Sequence, residues 1–197
     1  MTVTFVTGGA RSGKSAFAER IAAESGLPVT YLATMEAGDD ELVARVARHR
    51  ARRPASWRTV EVPLELTDAI REAPAGDLLL VDCLSLWVAN VIFAAVPDPE
   101  AGAATFEVAV DRCVALAREA AQALGARPGP AVVVTNEAGS GIVPAGALSR
   151  YYRDALGLVN QQFAAAADEA FVLISGMPLR LKPGTGAGGG VSLTIDK

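Results

Sequence analysis

The sequence predicts an α/β fold in which a mostly parallel central sheet is flanked by helices in three layers. Short β-favouring runs alternate along the chain with segments of helical apolar spacing. Several of the runs are apolar throughout, as in strands that are covered on both faces. At 197 residues, we expect a single domain over residues 1–182, and the Gly-rich stretch 183–197 is predicted to be a flexible tail.

The predicted elements follow one another in βα order. We expect strands at residues 3–7, 29–33, 57–62, 78–82, 131–135 and 171–175. Helices are expected at residues 15–24, 40–50, 66–71, from the end of the fourth strand to about 93, at 103–124, and in parts of 147–168. For the second helix, Asp39 or Asp40 can cap the start, and Pro54 lies just beyond the end. Ligands of such sheets collect at the carboxyl ends of the strands.

A phosphate-binding sequence follows the first predicted strand. Residues 8–15 read Gly-Gly-Ala-Arg-Ser-Gly-Lys-Ser, which matches G-x-x-x-x-G-K-[ST] between a strand and a helix. The glycines let backbone amides approach phosphate, and the helix start adds a positive dipole end. We expect Gly8, Gly9, Ala10, Arg11, Ser12, Gly13, Lys14 and Ser15 to bind nucleotide, with Lys14 on the β and γ phosphates and Ser15 on Mg²⁺. The motif predicts that the fold is a P-loop NTPase of the RecA-like type. The alternative is that these residues form a chance Gly-rich turn.

Residues 78–82 read Leu-Leu-Leu-Val-Asp, a buried strand that ends in an acid. Asp82 is the expected second ligand of Mg²⁺, held directly or through water. Four apolar residues before an acid are also common by chance. Asp82, or Ser85, is alternatively a cap of the following helix.

His49 is the only histidine, and it lies in a basic segment. The neighbouring cations are Arg45, Arg48, Arg50, Arg52, Arg53 and Arg58. Arginine forks suit triphosphate oxygens, and nearby positive charge favours a neutral, nucleophilic imidazole. The alternative is a solvated basic helix face.

A second polar loop follows the strand at 131–135. Asn136 and Glu137 begin a Gly-rich stretch that extends to Pro144. The two side chains are candidates to bind a hydroxyl-bearing substrate or to act as a general base, and the alternative is a plain turn.

Composition excludes several other classes. The net charge of −4 argues against nucleic-acid binding. The apolar stretch 78–96 is interrupted by Asp82, Ser85 and Asn90, so no membrane span is expected. With two cysteines in apolar contexts and no secretory signal, we expect a cytoplasmic protein.

Taken together, six motifs resemble the family of bifunctional adenosylcobinamide kinases/adenosylcobinamide-phosphate guanylyltransferases of cobalamin biosynthesis. Besides the phosphate loop, they are Tyr-Leu-Ala-Thr at 31–34, His-Arg-Ala-Arg-Arg-Pro-Ala-Ser-Trp at 49–57, Val-Asp-Cys-Leu-Ser-Leu-Trp at 81–87, Thr-Asn-Glu-Ala-Gly-Ser-Gly-Ile-Val-Pro at 135–144, and Met-Pro-Leu-Arg-Leu-Lys at 177–182. The block that begins at His49 is the most specific to the family. Met35 and residues 138–140 differ from the usual pattern.

The resemblance implies two reactions. ATP or GTP would phosphorylate the aminopropanol hydroxyl of adenosylcobinamide. GMP would then pass from GTP, through a guanylylated His49, to adenosylcobinamide phosphate. The implied nucleotide-contacting positions are Ala33, Thr34, Met35, Arg50, Ala51, Arg52, Arg53, Glu61 and Asp82, and the implied assembly is a homotrimer. The competing hypotheses are a single-activity small-metabolite kinase and a nucleotide-dependent switch.

Overall fold

The computed structural model describes residues 2–35 and 53–183, and within these ranges it contains one seven-stranded sheet. The strands are β1 (Val3–Gly8), β2 (Val29–Ala33), β3 (Arg58–Glu61), β4 (Leu78–Asp82), β5 (Ala131–Val134), β6 (Glu169–Ile174) and β7 (Met177–Lys182). The described helices are α1 (Lys14–Glu24), α2 (Leu66–Glu72), α3 (Leu84–Ala95), α4 (Ala103–Ala126) and α5 (Ala147–Ala166).

The strand order is β3-β2-β4-β5-β1-β6-β7. The first six strands in that order are parallel, and β7 pairs with β6 in the antiparallel direction. All six parallel strands therefore end at one edge of the sheet. At that edge β1 lies between β5 and β6, and β5 separates it from β4.

Apolar side chains cover both faces of the sheet, which is why the inner strands lack polar alternation. On one face, α2, α3, α4 and α5 contribute to a large core around buried residues such as Ile70, Trp87 and Phe163. On the other face, α1 buries Ala18 and Ala22 against a smaller core. The predicted α/β fold with helices on both faces is confirmed.

The predicted element types are confirmed over the described residues, with two strands correct at both ends and other bounds shifted by a few residues. The helix predicted in parts at 147–168 is continuous over Ala147–Ala166. The helix predicted at 40–50 lies outside the described residues, as does the tail beyond residue 183.

Strand β7 was not predicted. Its second residue is Pro178, which has no N–H and is tolerated on an edge strand. Ser175 and Gly176 have φ values of 52° and 83° and connect β6 to β7 as a two-residue turn. A Ser-Gly pair is a weaker hairpin signal than Asn-Gly, so the local sequence did not indicate the pairing.

Candidate nucleotide-binding site

The segment between β1 and α1 has the backbone of a phosphate loop. Arg11 and Gly13 have positive φ values of 57° and 97°, and α1 begins immediately afterwards at Lys14. Gly8 lies against β6, where an added Cβ would be 2.5 Å from the Leu173 carbonyl oxygen. Gly8 is therefore required by its close contact with β6, and Gly13 by its positive φ. Both glycines of the motif have a structural reason, which argues against a chance Gly-rich turn.

Lys14 is held inside this loop. Its side chain is 7% exposed, and its Nζ donates a hydrogen bond to the Gly9 carbonyl at 2.6 Å. Burial lowers the pKa of Lys14, while the nearby Cys83 and Asp82 groups act in the opposite direction. An ammonium group with a single backbone partner can transfer its hydrogen bonds to phosphate oxygens.

Two hydroxyl groups near the loop are buried without a partner among the described residues. They are Ser12 Oγ within the loop and Thr7 Oγ1 at the end of β1. Buried polar atoms are normally hydrogen-bonded, so such atoms call for an occupant such as an anion or water. In a phosphate loop, the oxygens of a triphosphate fit this requirement.

Asp82 ends β4 and does not cap α3. The cap position is Cys83, and no side-chain hydrogen bond closes the helix start. Instead, Asp82 Oδ2 accepts a hydrogen bond of 2.7 Å from the Tyr31 hydroxyl. This leaves the other carboxylate oxygen for a ligand at the edge of the sheet.

Tyr31 was missed as a functional candidate at the sequence level. It is 1% exposed, and burial raises its pKa above the ordinary value, so its hydroxyl remains a donor. The guanidinium carbon of Arg53 lies 3.3 Å from the centre of the Tyr31 ring. The sequence did contain a signal for this role: a tyrosine within a predicted buried strand needs a hydrogen-bond partner for its hydroxyl.

Four more of the predicted positions lie at or just beyond the ends of β2 and β3. Ala33 pairs with Asp82 on one side and with Glu61 on the other. Thr34 is fully buried, and its hydroxyl donates to the Cys83 carbonyl and accepts from the Cys83 amide. The Thr34 hydroxyl therefore makes both of these hydrogen bonds to the Cys83 backbone. Met35, half-buried, is the last residue described before the gap.

Cys83 does not supply a nucleophile at this edge. Burial, and next the Asp82 charge, raise the pKa of Cys83 to about 11. Its Sγ lies 2.9 Å from Ser85 Oγ. The thiol is therefore protonated at neutral pH, and nucleophilic chemistry at the site requires another group.

The loop after β5 contacts the phosphate loop through its backbone. The Glu137 amide donates to the Gly8 carbonyl at 3.0 Å. Asn136 Nδ2 donates to Ser85 Oγ, and Asn160 donates to the Asn136 carbonyl. Glu137 is exposed, and its Oε1 accepts from the Gly139 amide. Asn136 thus has a structural partner, whereas Glu137 has an accessible carboxylate.

The structure brings the phosphate loop, Ala33, Glu61, Asp82 and the 136–137 loop to one edge of the sheet. His49, Arg50, Ala51 and Arg52 lie outside the described residues. Over the described ranges, no cluster of three or more His, Cys, Asp or Glu side chains could hold a metal ion. No helix in the same ranges is long and apolar enough to cross a membrane.

Fold and site define the class of protein: a nucleoside-triphosphate-binding protein with the P-loop NTPase fold. In agreement, an ATPase from the type III secretion system of pathogenic bacteria superposes with a TM-score of 0.53 at 12% identity. The superposition covers 87% of this chain and about half (51%) of that ATPase. Residues 4–181 match the CobU family model, described as cobinamide kinase / cobinamide phosphate guanyltransferase. The chain belongs to this family.

Two curated relatives align over nearly their whole length. The bifunctional adenosylcobalamin biosynthesis protein CobP of Pseudomonas aeruginosa is 47% identical, over 90% of this chain and 95% of the relative. The bifunctional adenosylcobalamin biosynthesis protein CobU of Salmonella typhimurium is 41% identical, over 90% and 98%. The family expected from the six motifs is thereby confirmed.

Proposed function

We propose that this chain catalyses two successive reactions on one corrinoid. It phosphorylates the aminopropanol hydroxyl of adenosylcobinamide with ATP or GTP. It then transfers GMP from GTP to adenosylcobinamide phosphate, which gives adenosylcobinamide-GDP and pyrophosphate. The observation that carries the proposal is the family match over residues 4–181, since it includes the whole phosphate loop and the segment that contains His49.

In the kinase step, the phosphate loop would hold the triphosphate while the corrinoid hydroxyl oxygen attacks the γ phosphorus. The new P–O bond forms as the bond to the β-phosphate oxygen breaks, ADP or GDP leaves, and the hydroxyl proton passes to a general base or to water. Lys14 and the amides between Gly8 and Ser15 would stabilise the charge on the phosphate oxygens. Such catalysis relies mainly on positioning and electrostatics.

The donor set at the sheet edge fits Mg²⁺. Asp82 supplies a carboxylate oxygen and Ser15 a hydroxyl, and Mg²⁺ in phosphoryl-transfer sites is held by one or two carboxylates together with substrate phosphates. When bound, the ion would neutralise the charge of the leaving phosphate.

In the guanylyl step, a His49 ring nitrogen would attack the α phosphorus of GTP. The N–P bond forms as the α–β bridging bond breaks, and pyrophosphate leaves. A phosphate oxygen of adenosylcobinamide phosphate then attacks the same phosphorus and releases the histidine. Arg50, Ala51, Arg52, Arg53 and Glu61 are the further nucleotide-contacting positions we propose, with Ala33, Thr34 and Met35 lining the same edge.

The family resemblance also supports a homotrimer that works in the cytoplasm. Sedimentation of the purified chain tests the assembly: three times the mass of 20.3 kDa is expected, and a monomer at assay concentration would contradict it.

Radiolabelled GTP separates the bifunctional enzyme from a single-activity kinase. With α-labelled GTP and Mg²⁺, we expect a covalent label that is stable to base and lost in acid, as histidine phosphoramidates are. His49→Ala should abolish this label and GMP transfer, while γ-phosphate transfer to adenosylcobinamide largely remains. Absence of any label in the wild-type protein would refute the guanylyltransferase step, and equal loss of both activities in a folded variant would refute the division of roles.

A nucleotide-dependent switch is tested by turnover. We expect nucleotide consumption to depend on the cobinamide acceptor. Hydrolysis at the same rate with and without the acceptor would contradict the transferase function.

A further inference from the structure

The turn between β6 and β7 contacts the phosphate loop directly. The Gly176 amide donates a hydrogen bond of 2.9 Å to the Ser12 carbonyl. An added Cβ on Gly13 would lie 3.2 Å from the Gly176 Cα. The two segments thus pack backbone against backbone, although they lie near opposite ends of the described chain.

This hydrogen bond orients a peptide unit of the phosphate loop. In a trans peptide, the C=O of one residue and the N–H of the next point in opposite directions. Because the Ser12 carbonyl is directed at the turn, the Gly13 N–H is directed away from it. Phosphate loops bind anions through amides of this kind, so the turn determines the direction of one candidate phosphate donor.

The start of the loop is held in a comparable way. Gly8 is paired with Leu173 of β6, close enough that a Cβ would come within 2.5 Å of the Leu173 carbonyl oxygen. The β6 strand and the turn that follows it therefore contact the loop both at Gly8 and at residues 12–13. A loop held at two points loses less conformational entropy when a ligand binds.

We infer that the Ser175–Gly176 turn is a positioning element of the nucleotide site. It acts through the loop, by holding the Ser12 carbonyl outward and so preorienting the Gly13 amide for a phosphate oxygen. The inference rests on the proposed function only in that the loop binds a nucleoside triphosphate.

Two substitutions at one position test this. Gly176 has a φ of 83° and no neighbouring atom within 4 Å of an added Cβ, so the strain of a substitution there comes from the backbone conformation alone. Asn tolerates positive φ, whereas a β-branched residue does not. Both variants keep the amide N–H. We expect Gly176→Val to weaken GTP binding by about tenfold to a hundredfold, the range for one lost hydrogen bond to a charged group, and Gly176→Asn to bind almost as the wild type does.

Gly26→Val is the matched control. Gly26 has a φ of 68° and open space at its Cβ, and it follows the far end of α1 from the phosphate loop. This variant should lose thermal stability through the same strain and yet keep its GTP affinity. Equal affinities of Gly176→Val and Gly26→Val would overturn the inference, and so would equal losses in Gly176→Val and Gly176→Asn.

Amide hydrogen exchange of the wild-type protein provides a second test that needs no variant. By linkage, if the turn favours the binding conformation of the loop, GTP must stabilise the turn in return. We expect GTP to slow exchange at Gly176 but leave Gly26 unchanged. Binding of GTP without any change at Gly176 would overturn the inference alone. Failure of the wild-type protein to bind GTP would overturn the proposed function and this inference together.

Discussion

Replacing Tyr31 with Phe tests how the Asp82 carboxylate is held at the sheet edge. The substitution removes only the hydroxyl that donates to Asp82 Oδ2 at 2.7 Å. The ring remains, so the buried volume and the contact with the Arg53 guanidinium at 3.3 Å are retained. Any effect therefore reports on the hydrogen bond rather than on packing.

The expected loss of stability follows from the type of acceptor. Hydrogen bonds to charged groups contribute about 1.5–3 kcal/mol. Asp82 is partly exposed, so water can replace the hydroxyl in part, and we expect a loss of about 1.5 kcal/mol in the free energy of unfolding. For a chain of this size, that corresponds to a fall in Tm of about 3–6 °C. The carboxylate should also lose its fixed orientation, which weakens binding of Mg²⁺ with GTP.

Chemical denaturation measures the first effect, and titration of Mg²⁺ against GTP-bound protein measures the second. Tyr152→Phe is the matched control, because its hydroxyl donates to the neutral Ser85 carbonyl at 3.2 Å. This variant should lose less stability and keep its Mg²⁺ affinity. If Tyr31→Phe is as stable as the wild type, or if both variants lose Mg²⁺ affinity equally, Tyr31 does not position Asp82.

Two further predictions concern other buried cations. Arg127 is 6% exposed, and its guanidinium donates to three backbone carbonyls that precede β4 and β5, those of Pro74, Asp77 and Pro130. Chemical denaturation of Arg127→Ala should show a loss of about 3 kcal/mol in the free energy of unfolding. Its nucleotide affinity should not change. Arg71→Ala is the control, because the Arg71 side chain is 62% exposed and pairs with Asp68 at the surface. It should lose about 0.5 kcal/mol or less in the free energy of unfolding, and a loss equal to that of Arg127→Ala would contradict the buried role of Arg127. Burial lowers the pKa of Lys14, so ATP affinity should fall at a pH below 10.5, the ordinary value. In the same window the unfolded chain binds more protons, so the stability of the ligand-free protein should rise with pH. In Lys14→Arg the side chain stays charged over this pH range, so the ATP affinity of this variant, although lower, should not change with pH. If its ATP affinity falls with pH as that of the wild type does, the pH dependence does not come from Lys14.

Local pattern was sufficient for the predictions that proved most accurate. The runs of β2 and β4 were predicted at both ends. In β4, four consecutive apolar residues precede an acid, which is typical of a buried parallel strand, and β2 is a short run of β-favouring residues that contains one threonine. The phosphate loop was equally evident, since its whole pattern lies within eight consecutive residues between a strand and a helix. In contrast, β7 was missed, because its pairing depends on β6 and on a weak turn signal.

The alternative roles of Asp82 show where local pattern was insufficient. An acid between a strand and a helix can cap the helix or face a ligand, and both fit the same local sequence. The structure excludes the cap, because Asp82 is bound by Tyr31, which is 51 residues away in sequence and reaches Asp82 only because β2 and β4 are neighbours in the sheet. Similarly, Asn136 was predicted as a candidate to bind a hydroxyl-bearing substrate, and only the structure shows that its side-chain amide donates to Ser85 of α3.

The sequence by itself therefore determined the order of most elements, the position and type of the phosphate-binding loop, and the family. These depend on dihedral preferences, periodicity and short motifs within a few residues of each other. Only the tertiary structure decided that β5 separates the phosphate loop from Asp82, that Tyr31 holds this carboxylate, and that the Ser175–Gly176 turn supports the loop. The physical reason is that these contacts join distant parts of the chain, and strand order brings them together, which no local pattern encodes.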